Sequence, residues 1–143
     1  MQGLFRRFGA LATESTPCGK PLSMAHAHAL MVLLARGELS QRLLGAELRI
    51  DKSNVARLCA RMVEAGHVRQ HQSKDDGRSR RVSLSPRGER LAREVEVASS
   101  ERFATLLAAV PSASRSQVLS ALALLVAAVD TLPDVPNEQR NAE

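Results

Sequence analysis

The sequence predicts a mainly α-helical fold with one small β-hairpin. Leu, Val and Ala supply nearly all of the apolar side chains, and only three of the 143 residues are Phe, Tyr or Trp. Such a composition favours helices over sheets. Apolar residues recur at helical spacing along most of the chain, whereas residues 81–85 alternate between polar and apolar types, as a strand does.

Four helices are predicted before residue 67. A break rich in Pro and Gly at residues 16–21 separates the first helix from the second. The four are residues 2–14, a helix capped by Ser23 and ended by Gly37, one of about two turns capped by Ser40, and one that follows the turn at residues 49–51 and is closed by Gly66.

A β-hairpin and two long helices follow. The strands are predicted at residues 67–72 and 80–85 around a polar turn at 73–79, and the long helices at about 86–109 and 113–131. The predicted domains are residues 1–21, an N-terminal helix; 22–88, the short helices with the hairpin; 89–132, the C-terminal helices; and 133–143, a polar, disordered tail.

Positive charge is concentrated in one block of the chain. The formal net charge is +5, and residues 49–90 hold 11 Lys and Arg against five Asp and Glu. This concentration is the electrostatic footprint of a nucleic-acid binder. The scarcity of aromatic rings argues against a base-stacking surface for single strands. Charge alone leaves two interpretations open, a nucleic-acid binder or a solvated basic face on an unrelated protein.

Several classes of protein are not expected from these features. The most apolar run, Ala121 to Val129, is shorter than the ~20 residues that span a membrane, and the N-terminus lacks the apolar segment of a signal peptide. Cys18 and Cys59 are too few for a disulfide framework. With no nucleophile–base pair, phosphate loop or metal triad, we expect a cytoplasmic protein that is not an enzyme and holds no cofactor or metal.

The middle of the chain has the order of a winged helix-turn-helix, two short helices joined by a tight turn and then a hairpin. The first helix braces the second, whose polar N-terminal turns enter the major groove of DNA. Asn pairs bidentately with adenine and Arg with guanine, so the polar face of this second helix has the chemistry to read bases. The residues on that face are Lys52, Ser53, Asn54, Arg57 and Arg61.

Two segments resemble the MarR family of bacterial transcriptional regulators. Residues 39–44 (LSQRLL) and 50–58 (IDKSNVARL), followed by EAGHV, are similar to its recognition region, and residues 76–88 (DGRSRRVSLSPRG) are similar to its Asp-x-Arg wing and the Leu-Thr-x-x-Gly start of the next helix. The resemblance covers residues 22–132 closely and the first helix loosely. Two positions depart from the pattern, because Arg49 replaces a common turn glycine and Ser85 replaces Thr.

The resemblance implies a homodimer held together by the first helix and the last two. It also implies that a wing-tip arginine, Arg78, enters the minor groove and that Asp76 braces this arginine. Arg49 departs from the family pattern, and its bulkier side chain is expected to turn towards the phosphates. The full set of residues expected to contact DNA is Arg49, Lys52, Ser53, Asn54, Arg57, Arg61, Arg78 and Arg80. The last helix supports the dimer independently, since it is apolar over far more than a third of its circumference.

These features predict a sequence-specific repressor that binds a pseudo-palindromic operator as a homodimer and releases it in response to an unknown small-molecule effector or a modification. A nucleoid-structuring module with little sequence preference is the alternative. Cys18 is either incidental or an oxidant sensor, whereas Cys59 is expected in the core. His26 and His28 are either packed histidines or, with Cys18, His67 or His71, part of a zinc site.

Overall fold

The computed structural model describes residues 2–8, 15–72 and 79–132. The fold is mainly helical with one small antiparallel sheet, as the sequence predicts. The elements in order are α1 (Gln2–Phe8), α2 (Met24–Arg36), β1 (Leu39–Ser40), α3 (Gln41–Leu48), α4 (Lys52–Glu64), β2 (Val68–Gln72), β3 (Arg80–Leu84), α5 (Pro86–Ala108), a 3₁₀ helix (Ser112–Ser114) and α6 (Arg115–Asp130).

The predicted helix starts and ends are confirmed where local chemistry fixes them. The hydroxyl of Ser23 accepts a hydrogen bond from the backbone N–H of His26 at 3.3 Å, and that of Ser40 accepts one from Leu43 at 3.1 Å. Gly37 and Gly66, which follow α2 and α4, have φ angles of 72° and 71°. Helix α1 was predicted to reach residue 14, and residues 9–14 lie outside the part of the chain that the structure describes.

The sheet has the strand order β1-β3-β2, with all pairs antiparallel. The hairpin of β2 and β3 was predicted, although each strand is one residue shorter than expected. Strand β1 was not predicted, because its two residues have no alternating pattern of their own. It forms because Leu39 and Ser40, which Gly37 and Glu38 separate from α2, pair with Val82 and Arg81 of β3.

Residues 1–103 form one compact unit. Its core joins α2, α3, α4, the sheet and the first half of α5, and Cys59 lies in it without any exposed surface, as predicted. The largest buried side chains are Leu30, Leu33, Leu44, Leu58, Met62, Val82 and Val95. At the N-terminal end, Phe8 of α1 packs on Phe103 of α5 with ring centroids 5.2 Å apart.

The start of α5 is clamped onto the end of the α4–β2 turn. The hydroxyl of Ser85 donates a hydrogen bond to the carbonyl of Gly66 at 2.6 Å and accepts one from the N–H of Gly88 at 3.0 Å. A side chain at Gly88 would meet the carbonyl oxygen of His67 at 1.8 Å, so only glycine fits there. The serine thus supplies the capping hydroxyl expected at this position.

Residues 104–143 form a second unit. At its start the guanidinium of Arg115 donates hydrogen bonds to the carbonyls of Val110 and Ala108, both at 3.0 Å, and so closes the turn before α6. Helix α6 exposes a broad apolar surface. Its exposed apolar residues are Leu119, Leu122, Leu124, Leu125, Val126 and Val129, with Leu132 just beyond the helix.

One expectation about α6 is wrong. By length and composition alone, the 19 residues Ser112–Asp130 are long and apolar enough to cross a membrane. The prediction considered only the uninterrupted run from Ala121, whereas the residues before it are mostly small and uncharged and extend the segment. A single helix of this kind is weak evidence for a membrane protein, because the buried core helix of a soluble protein passes the same test, although this segment is not buried within the chain.

Candidate nucleic-acid interface

Helix α4 is the predicted recognition helix, and one face of it is buried while the other faces solvent. Val55, Leu58, Cys59 and Met62 form the buried face. Lys52, Ser53, Arg57 and Arg61 are exposed, and Asn54 is half-buried. The five residues predicted to read DNA from this helix therefore lie on its accessible side.

A chain of hydrogen bonds runs along the first turn of α4. The Asp51 carboxylate caps the helix by accepting the backbone N–H of Asn54 at 2.8 Å. The same carboxylate also accepts a hydrogen bond from the side-chain amide of Asn54. The amide oxygen of Asn54 in turn accepts a hydrogen bond from the Arg57 guanidinium at 2.5 Å. The role of Asp51 in orienting Asn54 was not predicted, although an Asp at a helix N-cap three residues before an Asn was visible in the sequence.

Arg49 occupies the turn between α3 and α4 in a left-handed conformation, with φ of 52° and ψ of 46°. It is the only non-glycine residue with a positive φ in the described parts of the chain. A glycine would adopt this conformation without steric cost. Its exposed side chain projects from the turn that leads into the recognition helix.

A groove of about 780 Å³ separates α3 and the start of α4 from the hairpin. Three cationic side chains line it, Arg42 from α3, Lys52 from α4 and Arg80 from β3, above an apolar floor that includes Ile50 and Val55. None of the lining residues within the described part of the chain is acidic. The structure therefore brings Lys52 and Arg80 to one groove and adds Arg42, which sequence reasoning missed.

The described part of the hairpin is attached to the helices by polar contacts from both sides. The side chain of Gln41 accepts a hydrogen bond from Gln70 at 2.7 Å. The Glu38 carboxylate accepts one from Nε of Arg81 at 3.0 Å, and its other oxygen lies 3.6 Å from Nε2 of His71. Arg78 and the predicted bracing residue Asp76 lie outside the described residues.

Cys18 is partly buried between two hydroxyl groups. Its sulfur lies 3.0 Å from Oγ1 of Thr16 and 3.6 Å from the hydroxyl of Ser99. Burial raises the pKa of the Cys18 thiol, but the hydrogen bonds outweigh burial, so the pKa lies below its ordinary value. In contrast, burial alone raises the pKa of the Cys59 thiol.

His26 and His67 form a pair inside the first unit. Nε2 of His26 lies 3.0 Å from Nδ1 of His67, so the N–H of one imidazole donates a hydrogen bond to the unprotonated nitrogen of the other. Burial, the second imidazole and Arg61 lower the pKa of His26 to about 4, and burial and Arg87 lower the pKa of His67. Within the described ranges, no three His, Cys, Asp or Glu side chains are grouped as metal ligands would be.

Comparisons with known proteins agree on one family. Residues 20–79 match the family model of the MarR family. This segment is therefore similar to a MarR-family domain. No curated protein sequence matches the chain. Among solved structures, a probable transcriptional regulator from Pseudomonas aeruginosa is 27% identical with a TM-score of 0.71, and the match covers 87% of this chain and 92% of that one.

The MarR fold extends beyond the matched segment. A MarR transcriptional regulator from Methanosarcina mazei Go1 is 22% identical with a TM-score of 0.71, covering 89% of this chain and 91% of that one. Bordetella bronchiseptica BpsR, whose DNA binding is regulated by 6-hydroxynicotinic acid, is 20% identical with a TM-score of 0.69, covering 87% and 94%. The chain therefore has the fold of a MarR-family transcriptional regulator.

Proposed function

We propose that this protein regulates transcription by reading a pseudo-palindromic operator in duplex DNA as a homodimer. The observation that carries the proposal is the polar face of α4, where Asp51, Asn54 and Arg57 form a connected, accessible set in the first turns of the helix. Side chains at the N-terminal end of such a helix are the ones that reach base edges in the major groove. The MarR-family match supports this assignment.

Each predicted contact has a distinct role in the proposal. Asn54 and Arg57 contact bases, whereas Arg49, Lys52 and Ser53 position the helix on the phosphates and Arg61 approaches DNA further along the helix. Arg80 and Arg42 line the groove in which the sugar-phosphate backbone of the DNA would lie. By family resemblance, Arg78 enters the minor groove and Asp76 braces it.

The proposed assembly uses residues 1–21 and 89–132 as a dimerisation region around the DNA-binding residues 22–88. The exposed apolar surface of α6 supports a second copy of the chain as the partner that covers this surface. A dimer would present two identical lobes, which bind two half-sites about one helical turn apart. A protein partner rather than a bilayer is the cover we expect, and the cytoplasm is the compartment where the operator would be met.

The proposed regulator acts as a repressor that releases DNA when it binds a small-molecule effector. BpsR, of similar fold, responds to 6-hydroxynicotinic acid, which supports an effector of low molecular weight for this chain as well. The proposal includes no enzymatic step and no cofactor.

Selection of bound sequences from a random duplex pool tests the proposal. We expect a two-fold-related consensus whose affinity exceeds that of random duplex at every salt concentration. The second candidate, sequence-tolerant binding, is favoured by one observation, the internal engagement of the Asn54 amide. Equal affinity for selected and random duplexes, with the same salt dependence, would support sequence-tolerant binding instead.

A further inference from the structure

The β-hairpin is attached to the helix-turn-helix on both of its faces. Gln70 pairs with Val82 in the sheet, and Val82 is fully buried, so the Gln41–Gln70 hydrogen bond lies on the core side. His71 and Arg81 are the adjacent register pair and lie on the opposite face. There they meet the carboxylate of Glu38.

Glu38 is placed at this point by the backbone around it. Gly37 precedes Glu38, ends α2 with a positive φ and turns the chain towards the sheet. Strand β1 begins at Leu39, the residue after Glu38. One Glu38 oxygen bonds Arg81 of β3 while the other faces His71 of β2. A single carboxylate therefore spans both strands of the hairpin from the α2–β1 corner.

We infer that Glu38 is a positioning residue for DNA recognition, whose bridge to Arg81 and His71 sets the angle at which the hairpin extends beside α4. The inference rests on the proposed function, since it assumes that the loop between β2 and β3 contacts DNA. The angle matters because the hairpin stem holds Arg80 at the basic groove and continues into the loop that carries Arg78.

The direction in which DNA affinity changes when the Glu38 carboxylate is removed distinguishes bracing from simple charge repulsion. Removing the negative charge of Glu38 makes the protein more positive and releases Arg81, and both changes alone would strengthen binding to phosphates. A bracing role predicts weaker binding in spite of that gain. Glu38 is exposed over 37% of its side chain, so its removal leaves the buried core intact.

The test compares wild type with Glu38→Gln and with Glu89→Gln as the matched control. Glu89 forms an exposed ion pair with Arg93 on α5 at 2.7 Å, so its substitution changes the net charge equally. Affinities are measured on duplexes with the selected centre and either A·T or G·C flanks. We expect Glu38→Gln to lose roughly twofold to fivefold in affinity on A·T flanks, the range of one exposed ionic contact, and to keep the central preference, while Glu89→Gln loses nothing.

Amide hydrogen exchange provides a readout without DNA. In Glu38→Gln the amides of β2 and β3 are expected to exchange faster while those of α5 do not change. Unchanged hairpin exchange, or binding by Glu38→Gln as tight as or tighter than that of wild type on A·T flanks, would overturn the inference. A wild type that binds no duplex, or shows no preference for A·T flanks, contradicts the proposed function instead, and the exchange result still decides whether Glu38 braces the hairpin.

Discussion

Arg57 donates a hydrogen bond to the amide oxygen of Asn54 at 2.5 Å, while the amide nitrogen of Asn54 is held by the Asp51 carboxylate. The two side chains of α4 that we propose as base contacts are therefore one connected unit before DNA binds. An Asn amide has two N–H donors and two acceptor lone pairs, so one of each is still available for a base. Asp51 fixes which way the amide faces, and Asn54 fixes where the guanidinium of Arg57 lies.

This connection predicts that Asn54 and Arg57 act non-additively. Arg57→Ala is expected to weaken binding to the preferred site by about 1–3 kcal/mol and to blur its sequence preference, the usual value of one bidentate base contact. Asn54→Ala is expected to cost a similar amount, because it removes a contact and also frees Arg57. In a double-mutant cycle, the loss in the double variant should be smaller than the sum of the two single losses.

Arg93→Ala is the matched control for these titrations, since it removes the same charge from an exposed ion pair on α5. It should leave the sequence preference unchanged. If the Asn54 and Arg57 losses add within experimental error, the hydrogen bond between them contributes nothing to recognition. If both variants weaken every duplex equally, these two side chains contribute to affinity but do not read the sequence.

Because Arg49 has a left-handed backbone, substitutions there are expected to change the stability of the fold and the affinity for DNA in different ways. Arg49→Gly is expected to raise the free energy of unfolding by up to about 1 kcal/mol, because glycine adopts φ of 52° without the steric cost of a side chain and loses only part of that gain to its greater freedom when unfolded. Denaturant unfolding measures this change. Arg49→Ala, which keeps the steric cost, should show no such gain.

DNA binding should change in the opposite direction at the same position. If the Arg49 side chain faces a phosphate, both Arg49→Gly and Arg49→Ala weaken all duplexes alike and reduce the slope of log affinity against log salt by about 0.9. Loss of affinity on the preferred site alone would instead make Arg49 a base contact. An unchanged salt slope would remove it from the interface.

Local chemistry explains which parts of the fold could be predicted. The caps at Ser23 and Ser40 and the glycine at residue 66 act on neighbouring backbone groups, so their types at those positions predict the helix ends. Strand β1 depends on pairing with β3, about 40 residues further along the chain, and its own two residues show no pattern that predicts a strand. The order of helices and hairpin was sufficient to predict the helix-turn-helix.

The candidate site was predicted as a set of residue types and not as a set of contacts. Spacing on α4 places Asn54 and Arg57 on one face, but the side-chain rotamers that join them are a property of the folded chain. Glu38 and Arg81 are 43 residues apart, so no periodicity relates them. The length of the apolar segment ending at Asp130 was underestimated because small uncharged residues were counted as polar.

The His26–His67 pair predicts a stability that falls with acidification. The unfolded chain takes up a proton on a histidine near pH 6.5, whereas the folded pKa of His26 is about 4. Between these values the unfolded state binds more protons, so the free energy of unfolding decreases as the pH falls from 7 towards 4. Protonation of both rings also removes the hydrogen bond between them, beside the positive charges of Arg61 and Arg87.

Urea unfolding of His26→Gln at pH 7 and pH 5 measures this effect. The variant should lose less stability than wild type between the two pH values, since glutamine does not titrate. His28→Gln is the control, because it makes the same substitution at an exposed position of the same helix, outside the His26–His67 pair. Equal pH dependence in wild type and His26→Gln would show that this pair does not govern acid stability.

The two cysteines are expected to differ sharply in reactivity. Cys18 has a lowered pKa and partial exposure, whereas Cys59 has a raised pKa and no exposed surface. In the folded protein a thiol reagent should label Cys18 and reach Cys59 only after unfolding. Cys18→Ser should abolish the labelling of the folded protein, which mass determination detects.

Reactivity at Cys18 does not require a sensing role. We expect Cys18→Ser to bind DNA as wild type does, with and without peroxide, because the residue lies before α2 and outside the proposed interface. Loss of DNA binding in peroxide-treated wild type, spared in Cys18→Ser, would contradict this and make the thiol the regulatory input.

The exposed apolar surface of α6 predicts a dimer at micromolar concentration. Leu122, Leu125 and Val129 recur at i, i+3 and i+7, so they lie along one side of the helix, and each is about half exposed in the single chain. Leu125→Glu would place a carboxylate in that apolar contact, and the dissociation constant should rise by at least about tenfold, since an unpaired polar group costs 1–3 kcal/mol to bury. Sedimentation equilibrium over a dilution series measures it.

Gln117→Glu is the matched control for the dimer, because it adds the same charge near the start of α6 at an exposed polar position. It should leave the association unchanged. If the dimer carries the DNA-binding lobes, Leu125→Glu must also lose affinity for a two-half-site duplex while keeping its affinity for a single half-site. A wild-type protein that sediments as a folded monomer contradicts the dimer. A wild-type protein that partitions into vesicles of neutral lipid would show that a bilayer, and not a second copy, covers the apolar surface of α6.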